Sequence, residues 1–244
     1  MENRKKGMSH RGLLICGMVF ASMGALGLSL GRRFQLNMAG SAMEAPAAIQ
    51  TAVLLLLMFS MAAIPIFATL LVEGFGEGEH FRDTVIGLGL LAVISEIPYN
   101  LTMTGGLFSL TAQNPVFALL ICEVQLWVYN RFGSKGFKSL LVALVTTLAG
   151  IMLCRFLGLM EYGLPLMLAT LVMWFFRRSN GTRTMAALLG SLACALMGIA
   201  YLTAPIGVLA VHFSTGEPSE KKCLGCYLIY PAALLLSYFV SLAF

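Results

Sequence analysis

The stretch TAVLLLLMFSMAAIPIFATLLV, Thr51 to Val72, runs for 22 residues without a single charge. As a helix it would extend about 33 Å, enough to cross a hydrocarbon layer about 30 Å thick. Working outward, Gly12–Gly31, Thr84–Leu101, Thr111–Tyr129 and Cys226–Phe244 have a similar length and character. Leu140 to Phe176 is too long for one crossing. It carries Arg155, Gly158, Glu161, Gly163 and Pro165 at its centre, so a helical hairpin turning there is expected. Thr184 to Phe213 is divided by Pro205 and reads as either a kinked helix or a re-entrant piece. The expected fold is therefore all-α, a polytopic transmembrane helix bundle of about eight spans.

Composition agrees with this reading. Hydrophobic residues make up 59% of the 244 and charged residues only 11%, with a mean hydropathy of +0.86. A soluble globule would lack the polar surface to cover itself. With short connections between spans, no room is left for a soluble catalytic domain, and no repeat or linker divides the chain. A single domain, residues 1–244, is expected, and any chemistry must come from helices and loops. The glycines, alanines and serines along the helices, such as Gly17, Gly24 and Gly190, suit close helix packing.

Basic residues give the orientation. With residues 1–11 a short cytoplasmic segment, Arg4, Lys5, Lys6, Arg11, Arg82, Arg131, Lys135, Lys138, Arg177, Arg178 and Arg183 fall inside. Arg32, Arg33, Arg155, Lys221 and Lys222 fall outside, a split of 11 against 5. Both termini are then expected in the cytoplasm of a multi-pass cell-membrane protein, with an uncleaved first helix. The net charge of +5 records this topology, so the bilayer is the expected partner and nucleic acid is not.

Polar residues inside apolar runs are the candidates for chemistry, because an ionised group at membrane depth is costly unless paired or wetted. Glu73 ends the Thr51–Val72 run and opens a loop, Gly74-Phe75-Gly76-Glu77-Gly78-Glu79-His80. Its glycines could cradle phosphate. However, Glu73, Glu77, Glu79 and Asp83 against Arg82 leave a net charge of −3, a field that repels a nucleotide. Glu96, between Ser95 and Pro98, lies two-thirds of the way along its span. Pro98 frees a backbone carbonyl near it, which suits either a polar cavity or a structural bond to Asn100, Gln113 or Asn114. Gln113 and Asn114 supply donors and acceptors without charge. Glu123 and Gln125 lie deeper in the next span, and an ion-coupled carrier would use Glu96 with Glu123.

Three strings carry a resemblance: PIFATLLVEGF at Pro65–Phe75, ISEIPYNL at Ile94–Leu101 and QNPVF at Gln113–Phe117. In this order they resemble the TraX family. Its members are integral membrane proteins named for the conjugal-transfer protein that acetylates the N-terminus of pilin, and they look distantly similar to membrane acyltransferases. The resemblance implies acetyl transfer from acetyl-CoA to an amine or hydroxyl of a small membrane protein or small-molecule acceptor. Glu73 or Glu96 would deprotonate or place the acceptor, with Ser95, Gln113 and Asn114 positioning it. The basic loop Arg177-Arg178-Arg183 would hold the diphosphate of the donor. The family pattern also carries an Asp-His pair in the first span, an Arg before the Pro-Ile-Phe string and a His after a late Tyr-Pro. Here those positions are Ala21-Ser22, Met61 and Ala233. A catalytically silent scaffold or binding protein is therefore the alternative expectation.

Cysteine adds little to this. Cys16, Cys122, Cys154 and Cys194 read as small hydrophobes within spans, and Cys223 and Cys226 form a CxxC in an outer loop. No metal site is expected from one such pair and His212.

Overall fold

The computed structural model describes residues 7–34, 46–109, 113–133, 136–176, 180–215 and 227–243, with only the backbone at 180–182. The chain is all-α: the described residues contain ten helices and a 3₁₀ turn, and no strand beyond an isolated bridge between Met8 and Ser214. In chain order the helices are α1 (His10–Arg33), α2 (Ala47–Ser60), α3 (Ala63–Gly74), α4 (Glu79–Thr104), α5 (Val116–Phe132), α6 (Phe137–Phe156) and α7 (Met160–Phe176). They are followed by α8 (Asn180–Ala195), the 3₁₀ turn (Ile199–Thr203), α9 (Ala204–Phe213) and α10 (Ile229–Ala243). Among the described residues, four helical segments are long and apolar enough to cross a membrane: α1, the α2–α3 stretch Ala47–Gly74, α4 and α6. The apolar segments of α7 to α10 are shorter, so eight full-length spans are not confirmed.

The decisive stretch is broken. Pro65 has no N–H to donate to the carbonyl of Met61, so one helical hydrogen bond is missing at that turn. The chain tightens there instead, with Met61 N–H bonding Met58 O and Ala62 N–H bonding Phe59 O at 3.1 Å each. The Thr203 hydroxyl also donates to Met58 O. Gly207 in α9 lies directly against this break. A Cβ on Gly207 would collide with the Ala62 carbonyl and stand 2.9 Å from Pro65 Cγ. Gly207→Ala is expected to destabilise the protein by about 3 kcal/mol, because the obstacle is backbone and cannot swing away. Gly87→Ala, where a Cβ meets nothing within 4 Å, should instead gain about 0.5–1 kcal/mol of helix stability. Thermal unfolding of the two variants in one detergent would check the contrast.

The expected hairpin between Leu140 and Phe176 is present as α6 and α7. It turns at Gly158, whose φ of 68° favours glycine. The stretch from Thr184 to Phe213 is re-entrant in shape. Helix α8 rises until Cys194 meets Pro165, and α9 descends so that Ser214 returns to Arg183 at the start of α8.

The end of the bundle holding Met8, Glu73, Arg183 and Ser214 is the near end, and the opposite one is the far end. Helix α10 runs in the same direction as α1, with Ser29 bonded to Ser237 O at 3.0 Å and Arg32 lying over the Tyr238 ring. The first and last described segments therefore sit at opposite ends of the bundle.

Candidate functional site

Two polar clusters stand out, one at each level of the bundle. At the near end, Glu73 on the last turn of α3 and Arg183 on the first turn of α8 form an ion pair. The guanidinium also donates to Glu73 Oε2 at 3.2 Å, to Ser214 O at 3.2 Å and to Ser214 Oγ at 2.5 Å. Around this pair the chain ahead of α1 is strapped to the end of α9, by Met8 N–H to Phe213 O at 2.8 Å and Thr215 N–H to Met8 O at 3.0 Å. Ser9 caps α1 by accepting from Gly12 N–H. A carboxylate and a guanidinium held this way satisfy each other. Glu73 is therefore engaged as an ion-pair partner and Arg183 as the tie between α3, α8 and α9, away from Glu96.

Higher up, Glu96 on α4 accepts from Asn114 N–H at 3.3 Å and from Asn100 Nδ2 at 3.4 Å. Asn114 is fully buried. Its side chain donates to Ala92 O at 3.4 Å, while its Oδ1 accepts from Val116 N–H at 3.1 Å and from the Tyr230 hydroxyl at 3.3 Å. The local sequence explains the geometry: Pro115 is the N-cap of α5, and Asn114 just before it satisfies the first-turn donor Val116 N–H with its side chain. Tyr230 forms part of the wall of a central cavity of about 90 Å³, together with Ser60, Tyr99 and Tyr162. The rest of the wall is mostly hydrocarbon.

The candidates read from sequence thus separate. Glu96 and Asn114 belong to one hydrogen-bonded group beside the cavity. Gln113 anchors the same loop to the end of α6, through its N–H to Leu157 O at 3.1 Å, and its side chain donates to Ser109 O at 3.2 Å. Ser95 is buried and its hydroxyl is bound to Leu91 O on its own helix, so it is not offered to a ligand. Arg177 and Arg178 lie outside the described residues, as do Cys223 and Cys226. None of the three histidines lines the cavity: His10 and His80 lie at the near end, and His212 meets Phe213 edge-on at the near-end terminus of α9. The three tyrosines and Ser60 escaped sequence reasoning, although Tyr99 stands inside the ISEIPYNL string.

Glu123 is 1% exposed, and among the described residues neither of its oxygens has a hydrogen-bond partner. Gln125, two residues on, donates to Thr147 Oγ1 at 3.0 Å. Leaving a buried polar group unsatisfied costs about 1–3 kcal/mol. Glu123→Met should therefore raise the thermal unfolding midpoint of the purified protein. A lowered midpoint would mean that the carboxyl has a binding partner.

A helical membrane protein with a tyrosine-walled cavity beside a half-buried carboxylate is the class that this fold and site define. The chain belongs to the TraX family: the family profile described as "TraX protein" matches residues 45–241. That match takes in α2 through most of α10, and so both clusters. No curated protein and no solved structure matches.

Proposed function

We propose that this TraX-family protein transfers an acetyl or other acyl group from acetyl-CoA to an amine or hydroxyl of a membrane-associated acceptor, with the reaction taking place in the central cavity. The observation that carries this reading is the hydrogen-bonded Glu96–Asn114–Tyr230 group, of which Tyr230 forms part of the wall of an apolar chamber. The two N–H donors hold the Glu96 carboxylate in one orientation, the geometry that a proton acceptor needs. In this reading the acceptor N–H or O–H gives its proton to Glu96 as its lone pair attacks the thioester carbon. The Tyr99 and Tyr162 hydroxyls stabilise the developing oxyanion, while that of Tyr230 holds Asn114. The carbon–sulfur bond then breaks, and the coenzyme A thiolate leaves and recovers the proton. Asn100 and Asn114 position the carboxylate, and Gln113 positions the loop that carries Asn114. Glu73 serves the fold, and the diphosphate of the donor falls to Arg177 and Arg178.

The lack of a histidine in the cavity wall supports a second reading, a non-catalytic family member that holds a ligand there. Calorimetry of acetyl-CoA with the detergent-purified protein separates the two. Saturable binding that is lost in Arg177→Ala/Arg178→Ala, followed by transfer of labelled acetyl without an ion gradient, is the expected result. Absence of binding at concentrations where a working enzyme saturates would overturn the acetyl-CoA mechanism.

A further inference from the structure

Helices α1, α3, α7, α5, α4 and α10 pack each against the next in a closed ring, and the cavity is its axis. On α1 the lining runs from Met18 to Leu28, about 15 Å along the helix. A volume of about 90 Å³ drawn out over that length makes a narrow shaft.

The shaft is also graded in polarity on three sides, while on α10 Leu234 lies beyond Tyr230 towards the far end. Passing from the far end towards the near end, the wall changes from Ser60 to Phe67 along α2–α3, from Tyr162 to Leu166 on α7, and from Tyr99 to Leu91 on α4. Helix α5 contributes Leu119 at the near-end level. Hydroxyls thus ring one level of the shaft, and only hydrocarbon lies on those helices below it. The acetyl group needs no such depth.

We propose that the shaft binds the straight hydrocarbon tail of a single-chain membrane amphiphile, whose amine or hydroxyl head meets the ring of tyrosine hydroxyls next to Asn114 and Glu96. This rests on the acyl-transfer reading only in taking the amphiphile to be the acceptor. The grading of the walls carries the assignment: a tail finds van der Waals partners along Phe67, Leu91, Leu119 and Leu166, while a polar head finds donors and acceptors only at the tyrosine level. A peptide segment is a poor fit, since its backbone amides would lie unsatisfied against those apolar walls.

The test is photolabelling of the full-length protein in nanodiscs with a long-chain alkylamine carrying a diazirine at the tail end. Saturable labelling is expected at Met18, Phe67 and Leu119, competed by hexadecylamine and not by propylamine. Ala21→Phe, which fills the shaft from α1, should lower it by about tenfold, the effect of overpacking a filled site. The lipid-facing residues Leu148 and Met152 of α6, which are exposed, report the bilayer background and should not change. Leu166→Trp is the second filling variant should Ala21→Phe fail to fold.

Labelling confined to α6, or labelling of the shaft that does not saturate in wild type, would overturn the proposal. Acetyl transfer to propylamine without shaft labelling would remove the tail site and leave the acyltransferase. Saturable shaft labelling without transfer from acetyl-CoA would keep the tail site and remove the enzyme.

Discussion

Arg183→Ala is expected to destabilise the protein by about 3–5 kcal/mol, the range for breaking a buried ion pair by removing one partner. The side chains of Arg183 and Glu73 are only 12% and 16% exposed, so the stranded Glu73 carboxylate gains little from water. The loss would spread, because the same guanidinium bonds Ser214 twice and thereby ties the end of α9 to α3 and α8. The strap from Met8 to Phe213 and Thr215 hangs on that junction. Replacing both partners, as Glu73→Gln with Arg183→Met, removes the uncompensated charge and should recover most of the stability. Denaturant titration in mixed micelles, run as a double-mutant cycle, measures the coupling. A loss below about 1 kcal/mol in Arg183→Ala, the range of exposed pairs, would show that the pair is not a latch. If acetyl-CoA affinity then fell, Arg183 would return to the donor-binding role that its basic loop suggests.

That ion pair shows where the sequence stops being legible. Glu73 and Arg183 are 110 residues apart, and each has a local reading, an acidic loop and a basic loop, that hides their contact. The reversal at α8–α9 brings them together, and Pro205 alone did not choose between a kink and a hairpin. The break in the Thr51–Val72 run was latent in Pro65, but it became visible only with Gly207 and Thr203 packed against it. By contrast, Glu96 and Asn114 could be found from sequence, since an acid and an amide in apolar strings need partners, and they found one another. Ser95 was equally visible and proved to be spent on its own helix. The tyrosines were invisible for the opposite reason. A tyrosine in a membrane helix is ordinarily an interfacial residue, and only the ring of helices turns Tyr99, Tyr162 and Tyr230 towards one space.

If Glu96 takes the proton of the acceptor, Glu96→Gln should slow acyl transfer by about 10²–10⁴-fold, the usual contribution of a general base. Glutamine keeps the length of the side chain and a carbonyl oxygen for Asn114 N–H or Asn100 Nδ2. The fold and the binding of both substrates should therefore survive, and the deficit should fall on kcat with KM nearly unchanged. Tyr230→Phe tests the neighbouring contact. It deletes the hydroxyl that donates to Asn114 Oδ1, a bond worth about 1 kcal/mol, and should slow transfer by roughly fivefold. Single-turnover transfer of labelled acetyl from acetyl-CoA to a long-chain amine gives both numbers, free of product release. The comparison also separates chemistry from architecture. A structural carboxylate would leave the rate of the folded Glu96→Gln protein intact while lowering its unfolding midpoint, because Glu96 would then serve only to fix Asn100 and Asn114. A base would leave the midpoint and remove the rate.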